Sequence, residues 1–274
     1  MNFIKIIRVL PTDSLRNKKT ERRFFNHMDI LQKIKIKRDV QLERELSSFR
    51  RPSLKEALKR PGLQIIGEIK RASPSKGQIA EEGFDLIRQA DHYVNNNIAA
   101  FSILTEEEYF KGDNEFIKKV GEHFPDVPIL RKDFIYTPFQ VAHSKFLGAS
   151  ALLLIVRMLD DSALHELHKL TYELEMEALV EVHDEAELER ALKIPGLQIL
   201  GVNNRNLNTF EVNITTTKKL MDRIPDSLKK DITLVGESGF LNEDDLKYAK
   251  TINVDGLLIG EALMKGNLFN LPHL

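Results

Sequence analysis

Eight short apolar runs rich in β-branched residues recur along this chain, near residues 65–69, 99–104, 128–132, 151–156, 178–182, 199–203, 232–236 and 255–259. Each has the length of one buried strand. Helical patterns fill the gaps. Phe84, Ile87, Ala90 and Val94 form one stripe, and Phe116, Ile117 and Val120 begin another. Thr137-Pro138 reads as a cap followed by proline at the first helical position, with Gly148 just past that helix's end. Asp184 and Glu187 read as a cap and a third-position acid, and Asn242 precedes a helix carrying Leu246 and Ala249. Strands alternating with helices pair in parallel through right-handed crossovers. Eight such units predict an α/β chain closed into a (β/α)8 TIM barrel over residues 63–274. An open doubly wound sheet is the competing reading. Even spacing, and no Gly-x-Gly-x-x-Gly after the first strand, favour the barrel.

Two segments precede the barrel. Over residues 28–62, Asp29 is placed to cap a helix bearing Ile30, Leu31, Ile34, Val40, Leu42 and Leu46. Ser53 to Glu56 forms a capping box for a second short helix with Leu54, Ala57 and Leu58 on its buried side, so this segment is expected to pack on the barrel. Residues 1–27 show no sustained period. They hold seven Lys/Arg against two acids, a net of +5, while the rest of the chain carries −6 of the overall net charge of −1. The segment reads as a dispensable or disordered extension, with Met28 as a candidate natural start. Pro61-Gly62-Leu63-Gln64-Ile65-Ile66-Gly67 nearly repeats as Pro195-Gly196-Leu197-Gln198-Ile199-Leu200-Gly201. It aligns the first strand with the sixth, which a doubled half-barrel would not do, so it reads as shared helix-to-strand turn chemistry.

In barrels of this kind the chemistry gathers where the strands end. The first run ends in Glu68, Lys70 and Ser73 before Pro74 and Gly77. Residues two apart share a strand face, so Glu68 and Lys70 point the same way, and opposite charges on a buried face need polar company. The other runs supply it. The second ends in Ser102 and Thr105 with Phe110 beyond, the third in Lys132, the fifth in Glu181 and the sixth in Asn203 and Arg205. The seventh ends in Glu237, Ser238 and Gly239, and the eighth in Gly260 and Glu261. Several acids and lysines in one ring suit proton transfer, because neighbouring charges move pKa values towards working pH. Glycine after the seventh and eighth runs lets backbone N–H groups approach a ligand, the common phosphate cradle of these barrels. Glu261 is expected to offer its backbone N–H there, with Lys70 as balancing charge.

Other function classes fit poorly. No run approaches the roughly 18 apolar residues that cross a bilayer. The chain has no cysteine, which excludes disulfides, thiolate metal sites and cysteine nucleophiles and fits a reducing, cytoplasmic setting. A near-neutral net charge gives no pull towards nucleic acid. His165 and His168 could share a helix face, but nothing around them completes a metal site, and they read as solvated helix surface. Gly236-Glu237-Ser238-Gly239 is no nucleophile elbow, since Phe240 stands where that motif needs glycine.

The strand-end motifs resemble those of the indole-3-glycerol phosphate synthase family. The likeness runs from the Glu68-x-Lys70 with Ser73-Pro74 through Ser102–Thr105, Leu130-Arg131-Lys132-Asp133-Phe134, Val180-Glu181-Val182-His183, Gly201-Val202-Asn203-Asn204-Arg205-Asn206-Leu207 and Gly236–Gly239 to Leu258–Met264. It covers the chain from about Met28 onwards. The resemblance implies an enzyme of tryptophan biosynthesis, a carboxy-lyase acting on 1-(2-carboxyphenylamino)-1-deoxyribulose 5-phosphate, with no cofactor and no metal. It implies Lys132 as general acid at the ketone, Glu181 as general base in dehydration, and Lys70 as anion anchor or second proton donor. Glu68 and Asn203 would orient these groups, and Arg205 would set charge and position around Glu181. Ser73, Ser238, Gly239, Gly260 and Glu261 would meet the phosphate. Phe110, Phe134, Leu153 and Phe210 would wall in the anthranilate ring. The helical stretch before the first strand resembles the family's extension over part of the barrel mouth. The partner implied is a small phosphorylated molecule, not nucleic acid or membrane, and the protein is expected to be a cytoplasmic monomer. The alternatives are another phosphate-binding barrel such as phosphoribosylanthranilate isomerase, or a non-catalytic barrel subunit. The first relies on a cysteine base this chain lacks. The second does not explain why such costly groups as Glu68, Lys70, Lys132 and Glu181 are all present.

Overall fold

The computed structural model describes residues 29–47, 51–74, 77–80, 83–207 and 209–266. The extension 1–27, the candidate start Met28 and the side chain of Leu46 therefore lie outside the described residues. The chain forms two compact units, Met1–Arg50 and Arg51–Leu274. This divides the segment 28–62 at Arg50, so its second helix belongs with the barrel. In the first unit a helix, α1, spans Ile30–Ser47. It starts where expected, with Asp29 accepting from the Gln32 amide at 3.0 Å.

In the second unit eight parallel strands close into a barrel, each beside its neighbours in sequence and the last beside the first. They are β1 Gln64–Ile69, β2 Ala100–Leu104, β3 Ile129–Lys132, β4 Ala151–Ile155, β5 Glu177–Val182, β6 Ile199–Asn203, β7 Thr233–Glu237 and β8 Gly256–Ile259. All eight fall on the predicted runs. The period of two separates two apolar layers. Ile66, Leu130, Leu153, Leu179, Val235 and Leu258 fill the barrel interior. Ile65, Phe101, Ile129, Leu154, Val180, Leu200 and Leu257 face outwards into the layer shared with the helices. Two residues beyond the interior layer, the same alternation turns Glu68, Lys132, Glu181 and Glu237 inwards. The register pairs Glu181 with Gly201 and Asn203 with Glu237.

The helices behave as their caps require. Thr137 and Gln140 form a capping box on the helix Pro138–Leu147, which ends on Gly148 in the left-handed region at φ 89°. Gly62 and Gly196 are also left-handed, at φ 88° and 73°, which gives the repeated Pro-Gly turns their common cause. Glu187 departs from the simple capping pattern. It lies in the first turn of the helix Glu185–Ala191, but its carboxylate reaches back to His183 and across to Arg157. His168 is a correction. It lies within the helix Asp161–Glu173, buried and 4.8 Å from the Tyr172 ring, so it is part of the helix–barrel packing and not solvated surface.

The short helix α2 (Leu54–Leu58) closes the amino end of the barrel, opposite the mouth. Leu54 and Leu58 belong to the same interior apolar cluster as Ala100, Ala151 and Ile199. Glu177, at the start of β5, accepts from the Ser53 hydroxyl and the Leu54 amide, both at 2.6 Å, and from the Lys55 amide at 3.1 Å. The helix start is thus capped by a carboxylate from a strand. The resemblance placed the stretch before β1 over the mouth. For α2 the reason it lies elsewhere is complementarity. The amino ends of the strands offer apolar surface, whereas the carboxyl ends are ringed with charge.

Candidate active site

A cavity of about 930 Å³ opens at the carboxyl ends of the strands. It is lined by all six expected catalytic residues, Glu68, Lys70, Lys132, Glu181, Asn203 and Arg205. It is also lined by Ser73, Phe110, Phe134, Leu153, Phe210, Ser238, Gly239, Gly260 and Glu261. Residues up to 193 positions apart in sequence therefore meet at one mouth.

Lys132 is the centre of the charge arrangement. Its ammonium donates to Glu181 Oε2 at 2.7 Å and to Glu237 Oε2 at 3.1 Å. Burial alone would lower its pKa, but Glu181, Glu237 and Glu68 around it raise it, so it stays charged at neutral pH. The two carboxyls are pushed apart. Glu181 is buried, yet Lys132 and His183 hold it well below the usual carboxylate range. Burial and the negative charge of Glu181 push Glu237 up, against the opposing pull of Lys132. Glu237 Oε1 is buried and accepts no hydrogen bond among the described residues. Unlike environments for two neighbouring acids separate a base from a proton donor. Gly201 leaves room for this. A Cβ there would collide with the Glu237 carboxylate.

Lys70 pairs with Glu68 at 2.5 Å, and the two share one face, the cavity side. Gly260 has the matching steric role at β8, because a Cβ would meet Glu68 Oε1 and come 3.0 Å from Lys70 Nζ. The Tyr93 hydroxyl donates to the Glu68 carbonyl at 2.9 Å and fixes the end of β1. Next to Lys132, Arg131 points outwards. Its guanidinium donates to Asp133 at 2.7 Å, Thr105 and Ser144 at 3.1 Å and Asn114 at 3.2 Å, locking the strand that carries Lys132.

The loops complete the mouth. Ser238 and Gly239 are consecutive left-handed residues at φ 64° and 92°. A Cβ on Gly239 would stand 2.5 Å from Val212. Asn204 pins this turn. Its amide donates to the Ser238 carbonyl at 3.0 Å, and its Oδ1 accepts from the Thr217 amide and hydroxyl at 3.0 and 2.8 Å. The Phe110 and Phe134 rings lie 6.0 Å apart at 44° on one wall, with Leu153 also lining the cavity. Arg205 braces the loop after β6. Its backbone bridges Val212 and its guanidinium donates to the Phe210 carbonyl at 3.4 Å. Lys132 and His183 are the cations that hold Glu181 ionised.

Glu237 stands at a strand end without an expected role; its local signal is an acid two residues beyond the inward Val235. Leu207, Ile79 and Tyr109 also line the cavity, from loops without a period to read.

Among the described residues no helix is long and apolar enough to cross a membrane. The family model described as indole-3-glycerol phosphate synthase matches residues 19–270, which takes in the last part of the segment 1–27. A protein of that name from Acetivibrio thermocellus is 44% identical over 252 residues, covering 86% of this chain and 94% of the relative. Another from Thermoanaerobacter pseudethanolicus is 43% identical over 237 residues, covering 86% and 88%. Among solved structures, the N-acetylmannosamine-6-phosphate 2-epimerase of Clostridium perfringens superposes with a TM-score of 0.58 at 13% identity, over 78% of this chain and 92% of that one. At that identity the likeness is one of fold alone. These matches lend nothing to the isomerase or to a non-catalytic barrel. On the family match and the close relatives together, this chain belongs to the indole-3-glycerol phosphate synthase family.

Proposed function

We propose that Lys132, Glu181 and Glu237 are the proton-transfer centre of this carboxy-lyase of tryptophan biosynthesis. The reaction takes 1-(2-carboxyphenylamino)-1-deoxyribulose 5-phosphate to indole-3-glycerol phosphate. The ring carbon bearing the carboxylate bonds to the ketone carbon, and Lys132 gives its proton to the ketone oxygen as that oxygen gains charge. Carbon dioxide leaves and the ring regains its aromaticity. The new hydroxyl then departs as water, with Glu181 taking a proton from the ring-closed intermediate. Lys70 or the protonated Glu237 supplies the proton to the leaving oxygen. The observation that supports this most is the single ammonium shared between one carboxyl held ionised and another pushed towards its neutral form.

The remaining groups orient the substrate in this reading. Phe110, Phe134, Leu153 and Phe210 hold the aromatic ring, and Glu68 and Asn203 hold Lys70 and the sugar hydroxyls. Ser73, the Ser238-Gly239 turn and the backbone of Gly260 and Glu261 receive the phosphate, balanced by Lys70. Arg205 sets charge and position around Glu181, and it braces the loop that carries Phe210. The proposal extends to a cytoplasmic monomer acting on a free small molecule with no nucleic-acid partner. Sedimentation at assay concentration tests the monomer. The roles are tested by following indole fluorescence with Lys132→Ala and Glu181→Gln. Each is expected to lose at least about 100-fold in kcat with the fold intact. Near-normal turnover in either refutes the role given to it.

A further inference from the structure

We infer that His183 is a positioning residue for Glu181, held in place by Glu187 and Arg157. The inference rests on the reading of Glu181 as the base.

His183 follows β5, and its side chain is 3% exposed. It is not among the residues lining the cavity, so it acts through Glu181 and not on substrate. Its ring stands between two carboxylates. Nδ1 lies 3.0 Å from Glu187 Oε2, and Nε2 lies 3.3 Å from Glu181 Oε1, at ion-pair distance without an aligned hydrogen bond. A neutral imidazole has one N–H and would turn a lone pair towards one of these acids; only the imidazolium presents positive charge to both. Burial opposes the charge, but the two carboxylates outweigh it and raise the His183 pKa to about 9.

The support behind the ring is built from three elements. Glu187 Oε2 also accepts from the His183 amide at 2.8 Å. Its other oxygen takes Arg157 Nε at 2.5 Å, and Arg157 pairs with Asp184 at 2.9 Å. The charged groups facing His183 are thus Glu181 from β5, Glu187 and Asp184 at the start of the helix Glu185–Ala191, and Arg157 after β4. Those facing Glu181 are Lys132 from β3 and His183, with Glu237 from β7 sharing Lys132. When Lys132 turns to a ketone oxygen, it gives up part of its hold on Glu181. His183 is then the cation that keeps that carboxylate ionised and aimed.

The test is the pH profile of kcat for His183→Asn and for Glu187→Gln, which keeps an acceptor for the His183 amide, with Glu181→Gln and its double with His183→Asn as controls. An opposite charge this close lowers a carboxyl by at least one pH unit, so its loss moves the acidic limb of kcat upwards by about 1 unit. Plateau kcat falls about tenfold from lost orientation, and KM stays within about twofold. Glu187→Gln moves the limb the same way by less. His183→Asn costs nothing further in the Glu181→Gln background, since the two act as a unit. An unmoved limb, or a loss wholly in KM, overturns the proposal. If Glu181→Gln keeps wild-type turnover, the base reading falls and this proposal falls with it. If Glu181→Gln is inactive while His183→Asn is unaffected, only the role of His183 is lost. Should His183→Asn fail to fold, Glu187→Gln carries the same pH test alone.

Discussion

Glu237 separates what the site needs from what the fold would prefer. Its carboxyl is buried beside Glu181, and its pKa is raised from an ordinary value of 4.5. A raised acid binds its proton more tightly folded than unfolded, so it costs nothing below about pH 4.5 and penalises the fold increasingly as pH rises towards its folded value. Glu237→Gln should therefore match wild type in Tm near pH 5 and exceed it at pH 8–9, by ~2–4 °C per kcal/mol removed, while losing turnover. Thermal melts at the two pH values decide it. A gap that is constant or shrinks with pH contradicts the assignment. His183 adds to the same trend. Its raised pKa stabilises the fold fully below about 6.5, and that contribution is lost as pH rises through about 9. At this scale the sequence was partly readable. The strand ends put Glu68, Lys132 and Glu181 at the mouth, because apolar runs and their ends are local features. The pairing of one ammonium with acids 49 and 105 residues away is a product of barrel closure, and no local pattern carries it.

Elements were the most legible level. Eight apolar runs and the Thr137, Asp184 and Asn242 caps each read directly, since caps and strand periods depend on neighbours in sequence. What α2 packs against was not legible. Its five residues carry a stripe but no address, and the match lies in the amino ends of strands far along the chain. Leu58 is fully buried there, and a Cβ on Gly256 would come 2.7 Å from it. Leu58→Ala should cost about 2–5 kcal/mol of stability through the cavity it leaves. Because this plug is at the end away from the mouth, KM of the folded fraction should stay near wild type. Denaturant unfolding with parallel kinetics tests this. A large KM change with unaltered stability would show that α2 acts on the site and not on the floor.

At the scale of the molecule, charge is divided between a basic leading segment and an acidic remainder. We propose that residues 1–27 are dispensable, and a chain starting at Met28 should keep the activity and Tm of the full protein; a clear loss in either assigns the segment a role. The barrel itself presents an apolar outer layer, an apolar interior and one charged mouth, and that mouth is where synthase chemistry would take place. The direct measurement is indole fluorescence on mixing purified protein with 1-(2-carboxyphenylamino)-1-deoxyribulose 5-phosphate, wild type beside Lys132→Ala. Wild type is expected to form indole-3-glycerol phosphate steadily, and the variant, with an unchanged circular dichroism spectrum, at a rate lower by at least about 100-fold. Folded wild-type protein that forms no product, or a variant that forms it at the wild-type rate, would contradict this reading of the mouth.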